Sequence, residues 1–158
     1  MFRPLLRSKQ AMSTEECLEI LKNEKRGVLS VNGDNGYPYG LPINHYYDPE
    51  DGKLYFHCGK VGHKIDALKR DPKASFCVID GGHQEPGEWF LRFNSVIVFG
   101  KIEFIEDEEI IAAKARQLSY KFTSDDDHID AEIARSLKGT AMFAMNIEHI
   151  CGKNVKEE

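Results

Sequence analysis

Residues 54–70 read Leu-Tyr-Phe-His-Cys-Gly-Lys-Val-Gly-His-Lys-Ile-Asp-Ala-Leu-Lys-Arg. This stretch predicts a strand, a glycine-bearing turn and a short helix over 61–69. Leu54, Tyr55, Phe56 and His57 suit a pleated surface. Gly59 and Gly62 interrupt the run. Val61, Ile65 and Leu68 then recur at i, i+4 and i+7, an apolar helical stripe. The charge is out of place. Lys60, His63 and Lys64 crowd a helix start that is already positive. Lys60 and Lys64, four apart, repel one another. An anion held at that end removes both penalties, because helix N-termini offer free N–H groups. The plainer alternative is a solvated basic turn.

Composition sets the bounds. A chain of 158 residues is expected to form a single domain over 1–158, long enough to bury a core. The net charge of −5 argues against a nucleic-acid partner. No apolar run approaches the ~20 residues of a membrane span. The first ten residues lack an apolar signal core. Cys17, Cys58, Cys77 and Cys151 are widely spaced, as expected of reduced thiols in a cytoplasmic protein.

Outward from the opening stretch, residues 1–12 read as a basic arm. Ser13 and Glu16 form a capping box for a helix ending near Lys25 or Gly27. Gly27–Val31 is a strand, and residues 32–36 are a hairpin turn. Tyr37–Tyr47 is the next strand. Its Pro38 and Pro42 exclude an ordinary central position. Ala74–Ile79 is a buried strand. Trp89–Ile105 is a long one, with a bend or bulge expected near Asn94 or Gly100. Helices follow from about 107 to 122 and from 127 to 137, with Asp125–Asp127 as a solvated cap. Thr140–Ile150 closes the fold, and residues 154–158 are a polar tail. About six strands joined mainly by hairpins predict a mainly β protein with helices, an antiparallel barrel.

Three segments together carry a resemblance: Tyr39–Tyr47, then Leu54–Gly59 with Gly62-His63-Lys64, then Ser95–Glu103. Their order and spacing resemble the FMN-binding split-barrel proteins of the pyridoxamine 5′-phosphate oxidase-like superfamily, nearest the nitroimidazole-resistance branch. The resemblance implies a six-stranded Greek-key split β-barrel and a homodimer with flavin sites at its interface. Carried over by position, Leu41, Pro42, Ile43 and Asn44 lie along an FMN ring. His57 and Cys58 lie near the ring and ribityl chain. Gly62, His63 and Lys64 hold the phosphate, and Ser95 approaches from a neighbouring strand, of the same or the other subunit. The superfamily's pyridoxamine phosphate oxidases carry arginines where this chain has Tyr39-Gly40 and His149–Lys153, which argues against that reaction.

His57 is the one candidate proton donor. His45 reads as a core or interface histidine. A metal set of His45, His57, His63 and Cys58 lacks the short paired spacing of zinc frames. The expected function is a flavin-dependent oxidoreductase reducing small electrophiles such as nitro compounds or quinones. The alternatives are a non-catalytic flavin sensor or carrier, and a haem-binding split barrel with His45 or His57 as axial ligand. The apolar surplus of Trp89, Phe90, Phe93, Val96, Ile97, Val98 and Phe99 argues independently for a homodimer.

Overall fold

In the computed structural model, which describes residues 1–156, the chain is one curled antiparallel sheet with helices packed around it. The strands are β1 (Arg26–Asn32), β2 (Pro38–Asn44), β3 (Tyr46–Asp48), β4 (Lys53–Gly59), β5 (Lys73–Ile79), β6 (Arg92–Ile105) and β7 (Thr140–Lys156). Their order across the sheet is β2-β1-β5-β6-β7-β4-β3. The sheet curls until β2, at one edge, approaches β4, next to the other edge, without pairing with it. That gap is the split in the barrel.

There are seven strands where six were expected, because 37–47 is broken at His45. The His45 ring turns inward and is fully buried, edge-on to Phe76. Its Nε2 lies 2.7 Å from the Leu21 carbonyl. A carbonyl can only accept, so Nε2 carries the proton. Burial and the nearby Lys121 charge lower the His45 pKa to about 4. Lys121 donates to the Glu24 carbonyl at 2.5 Å and to the His45 carbonyl at 2.8 Å. The break therefore ties the strand to the end of helix α1 (Thr14–Asn23). The capping box of Ser13 and Glu16 starts that helix as expected.

The core is aromatic and aliphatic. Phe56 contacts Phe76 and Phe143 with ring centroids 5.0 and 5.3 Å apart. Leu29, Leu54, Val78, Val96 and Val98 fill the space around them. Burying each of the large side chains stabilises by roughly 1.5–3 kcal/mol. Helix α3 (Glu108–Ser119) covers the opposite face of β4 and β7, where Ile111 packs on Tyr55, Met142 and Ala144. Helix α4 (Asp126–Ser136) is capped by Asp125, whose carboxylate accepts from His128 N–H.

A bulge stands at one of the two places expected. Phe99 pairs with His149 and Gly100 with Ile147, so Glu148 is the extra residue. The extra residue reverses the inside–outside alternation of β7, letting both Ile150 and Ile147 pack on the core. A Cβ on Gly100 would stand 2.3 Å from the Asn146 carbonyl oxygen, so only glycine fits there.

Three expectations are corrected, and the N-terminal arm gains contacts. β6 starts at Arg92, not Trp89, because the Glu88 carboxylate grips both terminal nitrogens of Arg92 and folds the chain back. Val96 and Val98 are core residues, so only part of the apolar surplus in 89–99 faces outward; Trp89 is 79% and Ile97 37% exposed. Asn154–Lys156 are no tail: they extend β7 and pair with Arg92–Asn94. Residues 157 and 158 lie outside the described residues. The 1–12 arm is not free either. Ala11 bridges Lys153, and Phe2 stacks on His149 at 4.9 Å.

Candidate functional site

Helix α2 (His63–Arg70) follows β4 directly, and the turn between them shapes the site. Gly62 holds φ 137° and ψ 175°, a conformation that glycine alone adopts readily. The turn throws Val61 into solvent, 87% exposed, so Val61 is not part of the helical stripe and the helix starts at 63. Ile65, Ala67 and Leu68 bury the inner face of α2. No side chain caps its N-terminus. The positive end of the helix is thus left to whatever approaches it.

An open groove of about 460 Å³ runs along the split beside this helix end. Leu41, Pro42, Ile43 and Asn44 of β2 form one wall. His57, Cys58 and Gly59 of β4 form the other, with Lys64 and Arg26 completing the lining. β2 is an edge strand, and β3 pairs only with Lys53–Tyr55 of β4, so along the groove β2 and residues 57–59 of β4 have no strand on that side and leave backbone N–H and C=O groups for a ligand. Among the described residues no carboxylate lines the groove. Desolvation pushes the Cys58 thiol up, and the nearby Lys64 charge pulls the other way. His57 is exposed at the rim, yet the surrounding protein lowers its pKa by desolvation, which favours the neutral ring at pH 7.

The remaining site residues expected from the sequence stand elsewhere. The His63 ring lies against Tyr39, centroids 4.0 Å apart, with Nε2 3.7 Å from Asp34. It is turned toward the β1–β2 hairpin, not into the groove. Gly62 contributes shape and does not line the groove. Ser95 sits on β6 between Ile79 and Lys153, and β1 and β5 separate it from β2 within one chain. His45 is buried beneath α1 and cannot reach His57, so the four-residue metal set is not assembled; among the described residues no group of three His, Cys, Asp or Glu is placed to hold a metal ion.

Arg26 and Gly59 were missed. Arg26 pairs with Asn44 in the β1–β2 hairpin. Counting back from the 32–36 turn would have found it. A larger hollow of about 620 Å³ lies between the N-terminal turn, α1 and the ends of β6 and β7. Its rim mixes Lys9 and Lys156 with Glu16 and Glu19, and it lacks the free strand edges of the groove.

A curled antiparallel sheet with its ligand-accessible groove at the split defines a split-barrel protein. The chain belongs to the pyridoxamine 5′-phosphate oxidase family, whose model matches residues 13–154. No curated protein matches it. Among solved structures, a protein assigned to 5-nitroimidazole antibiotic resistance in Bacteroides thetaiotaomicron VPI-5482 is 22% identical, covering 92% of this chain and 87% of its own, with a TM-score of 0.78. An FAD-binding protein of Mesorhizobium loti is 22% identical over 92% of this chain and 97% of its own, with a TM-score of 0.66. An FAD- and haem-binding protein of Mycobacterium smegmatis is 20% identical over 92% and 73%, with a TM-score of 0.72. At these identities the likeness is one of fold. Among the described residues no helix is long and apolar enough to cross a membrane.

Proposed function

We propose that this chain binds FMN in the groove at the split and, as a homodimer, reduces small electrophiles such as nitro compounds or quinones. The observation that carries the reading is Lys64 beside the uncapped start of α2, at one end of an acid-free groove. One lysine and one helix terminus suit one phosphate, hence FMN. Leu41, Pro42 and Ile43 offer an apolar wall to a planar ring, and the free strand edges offer hydrogen bonds to its polar rim. The site has room: a Cβ on Gly59 would meet nothing within 4 Å. Flavin-binding relatives of the same fold support the reading.

Bound flavin supplies the hydride and electron transfer. The residues bind and orient, with His57 positioned to give or take a proton at the rim. Reaction with pyridoxamine phosphate is not expected. Its phosphate would need a second cationic clamp, and the two basic residues of β6 are engaged elsewhere: Arg92 is gripped by Glu88 and Lys101 lies 4.0 Å from Glu148. The dimer would form through the outer sheet face, where Val28, Ile79 and Ile97 are exposed. Ser95 shares that face and would reach the partner's groove. A second reading, haem binding, keeps one support in the exposed His57 imidazole; His45 has its Nε2 bonded to Leu21.

The test is stopped-flow mixing of the FMN-loaded, chemically reduced protein with an anaerobic nitroimidazole. Absorbance should recover faster than in buffer oxygen, and pyridoxamine phosphate should leave the rate unchanged. Gly59→Leu should fold normally and retain no FMN. No acceleration by the nitro compound would remove the oxidoreductase reading, and FMN retained in full by Gly59→Leu would put the ligand elsewhere.

A further inference from the structure

The groove carries more positive charge than one phosphate requires. Arg26 lines it together with Lys64, yet among the described residues its guanidinium makes no hydrogen bond or ion pair. The two cations belong to different ends. Lys64 acts on the Cys58 thiol and sits by Gly59 and the start of α2. Arg26 is held opposite Asn44 by the hairpin register. Tyr46 pairs with Tyr55 across the β3–β4 ladder. That ladder ends at Tyr46, and the groove opens past it with Asn44 on one wall and His57 on the other. A phosphate bound at Lys64 leaves the Arg26 guanidinium, beside Asn44, for another group.

The balance of charge there is one-sided. The chain as a whole carries −5, but among the described residues no Asp or Glu lines the groove. His57 has its pKa lowered and adds no standing charge at pH 7. Three other arginines on the surface are paired: Arg70 with Asp34, Arg116 with Asp130, Arg135 with Glu132. Arg26 is left without a carboxylate at a groove rim that also offers the Asn44 amide and the imidazole of His57.

We infer that Arg26 selects the substrate: the end of the groove away from Lys64 takes a small, planar electrophile bearing a carboxylate, whose anion pairs with the Arg26 guanidinium. The inference rests on the flavin reading, in which Lys64 holds the phosphate and the ring lies against Leu41, Pro42 and Ile43. A guanidinium presents a planar fork that matches a carboxylate with two parallel hydrogen bonds. A single exposed guanidinium suits one negative charge better than a phosphate dianion, which fits the absence of a second cation at that end. Arg26 acts here on the substrate and not on the flavin phosphate.

The test compares 4-nitrobenzoate with its uncharged near-isostere 4-nitrobenzamide, titrated calorimetrically into the oxidised, FMN-loaded protein. Wild type should bind the carboxylate about fivefold more tightly, the scale of a partly screened ion pair. Arg26→Gln should bring the ratio of the two affinities close to one, and Arg26→Lys should restore part of the preference. Raising the salt should shrink the ratio in wild type only. A ratio near one in wild type, or a preference that survives in Arg26→Gln, overturns the inference while leaving flavin binding intact. Failure of the protein to take up FMN at the loading step would instead remove the flavin reading, and this inference with it.

Discussion

Replacing Lys64 with alanine separates the phosphate from the rest of the flavin. Lys64 is half-buried at the first turn of α2, where no side chain caps the helix and no carboxylate neutralises the ammonium. A hydrogen bond to a charged group contributes about 1.5–3 kcal/mol. Partial exposure argues for the lower half, about 2 kcal/mol, or about 30-fold in affinity. Riboflavin has the same ring and ribityl chain but no phosphate. Its affinity should fall less than about threefold, through lost packing of the lysine stem. The assay is flavin fluorescence quenching, titrated for both ligands against both proteins, with circular dichroism to check the fold. The decisive quantity is the ratio of the two losses, about tenfold or more. Equal losses for FMN and riboflavin would refute the assignment of the phosphate to this helix end.

Further outcomes follow from the fold. His45 titrates at about 4 when folded against an ordinary value near 6.5, so between those values the unfolded chain binds more protons. Stability should therefore fall as pH drops from about 6.5 to 4, by up to about 3 kcal/mol, and His45→Gln should flatten this slope in urea titrations. Gly100→Ala should cost about 2 kcal/mol, lowering Tm by about 6 °C, because its Cβ meets a backbone carbonyl that cannot yield. Light scattering at low micromolar concentration should give twice the 18.0 kDa chain mass, and a monomeric mass would remove the shared-site arrangement.

Most of the framework was legible because local chemistry agreed with the final packing. Ser13 and Glu16 close a capping box, the two prolines of β2 fix their φ, and Gly36 supplies the positive φ that the hairpin turn needs. The break at His45 was not legible. Ile43, His45 and Tyr47 do alternate inward as the pattern suggested, but the ring's bond to the Leu21 carbonyl is a long-range event. The length of β7 was hidden likewise, since Asn154 and Lys156 are polar and find their place only by pairing with β6. At the site, position along the chain brought together Leu41, Pro42, Ile43, Asn44, His57, Cys58 and Lys64. It did not reveal that the His63 ring lies against Tyr39, because the direction in which a first-turn side chain leaves α2 depends on the backbone of Gly62.

The most direct test of the central claim is the absorbance spectrum of the protein after incubation with FMN and removal of free ligand. Binding in the groove at the split predicts flavin bands at close to one FMN per chain, lost in Gly59→Leu. A colourless protein, or one that emerges with only the Soret band of haem, would contradict it.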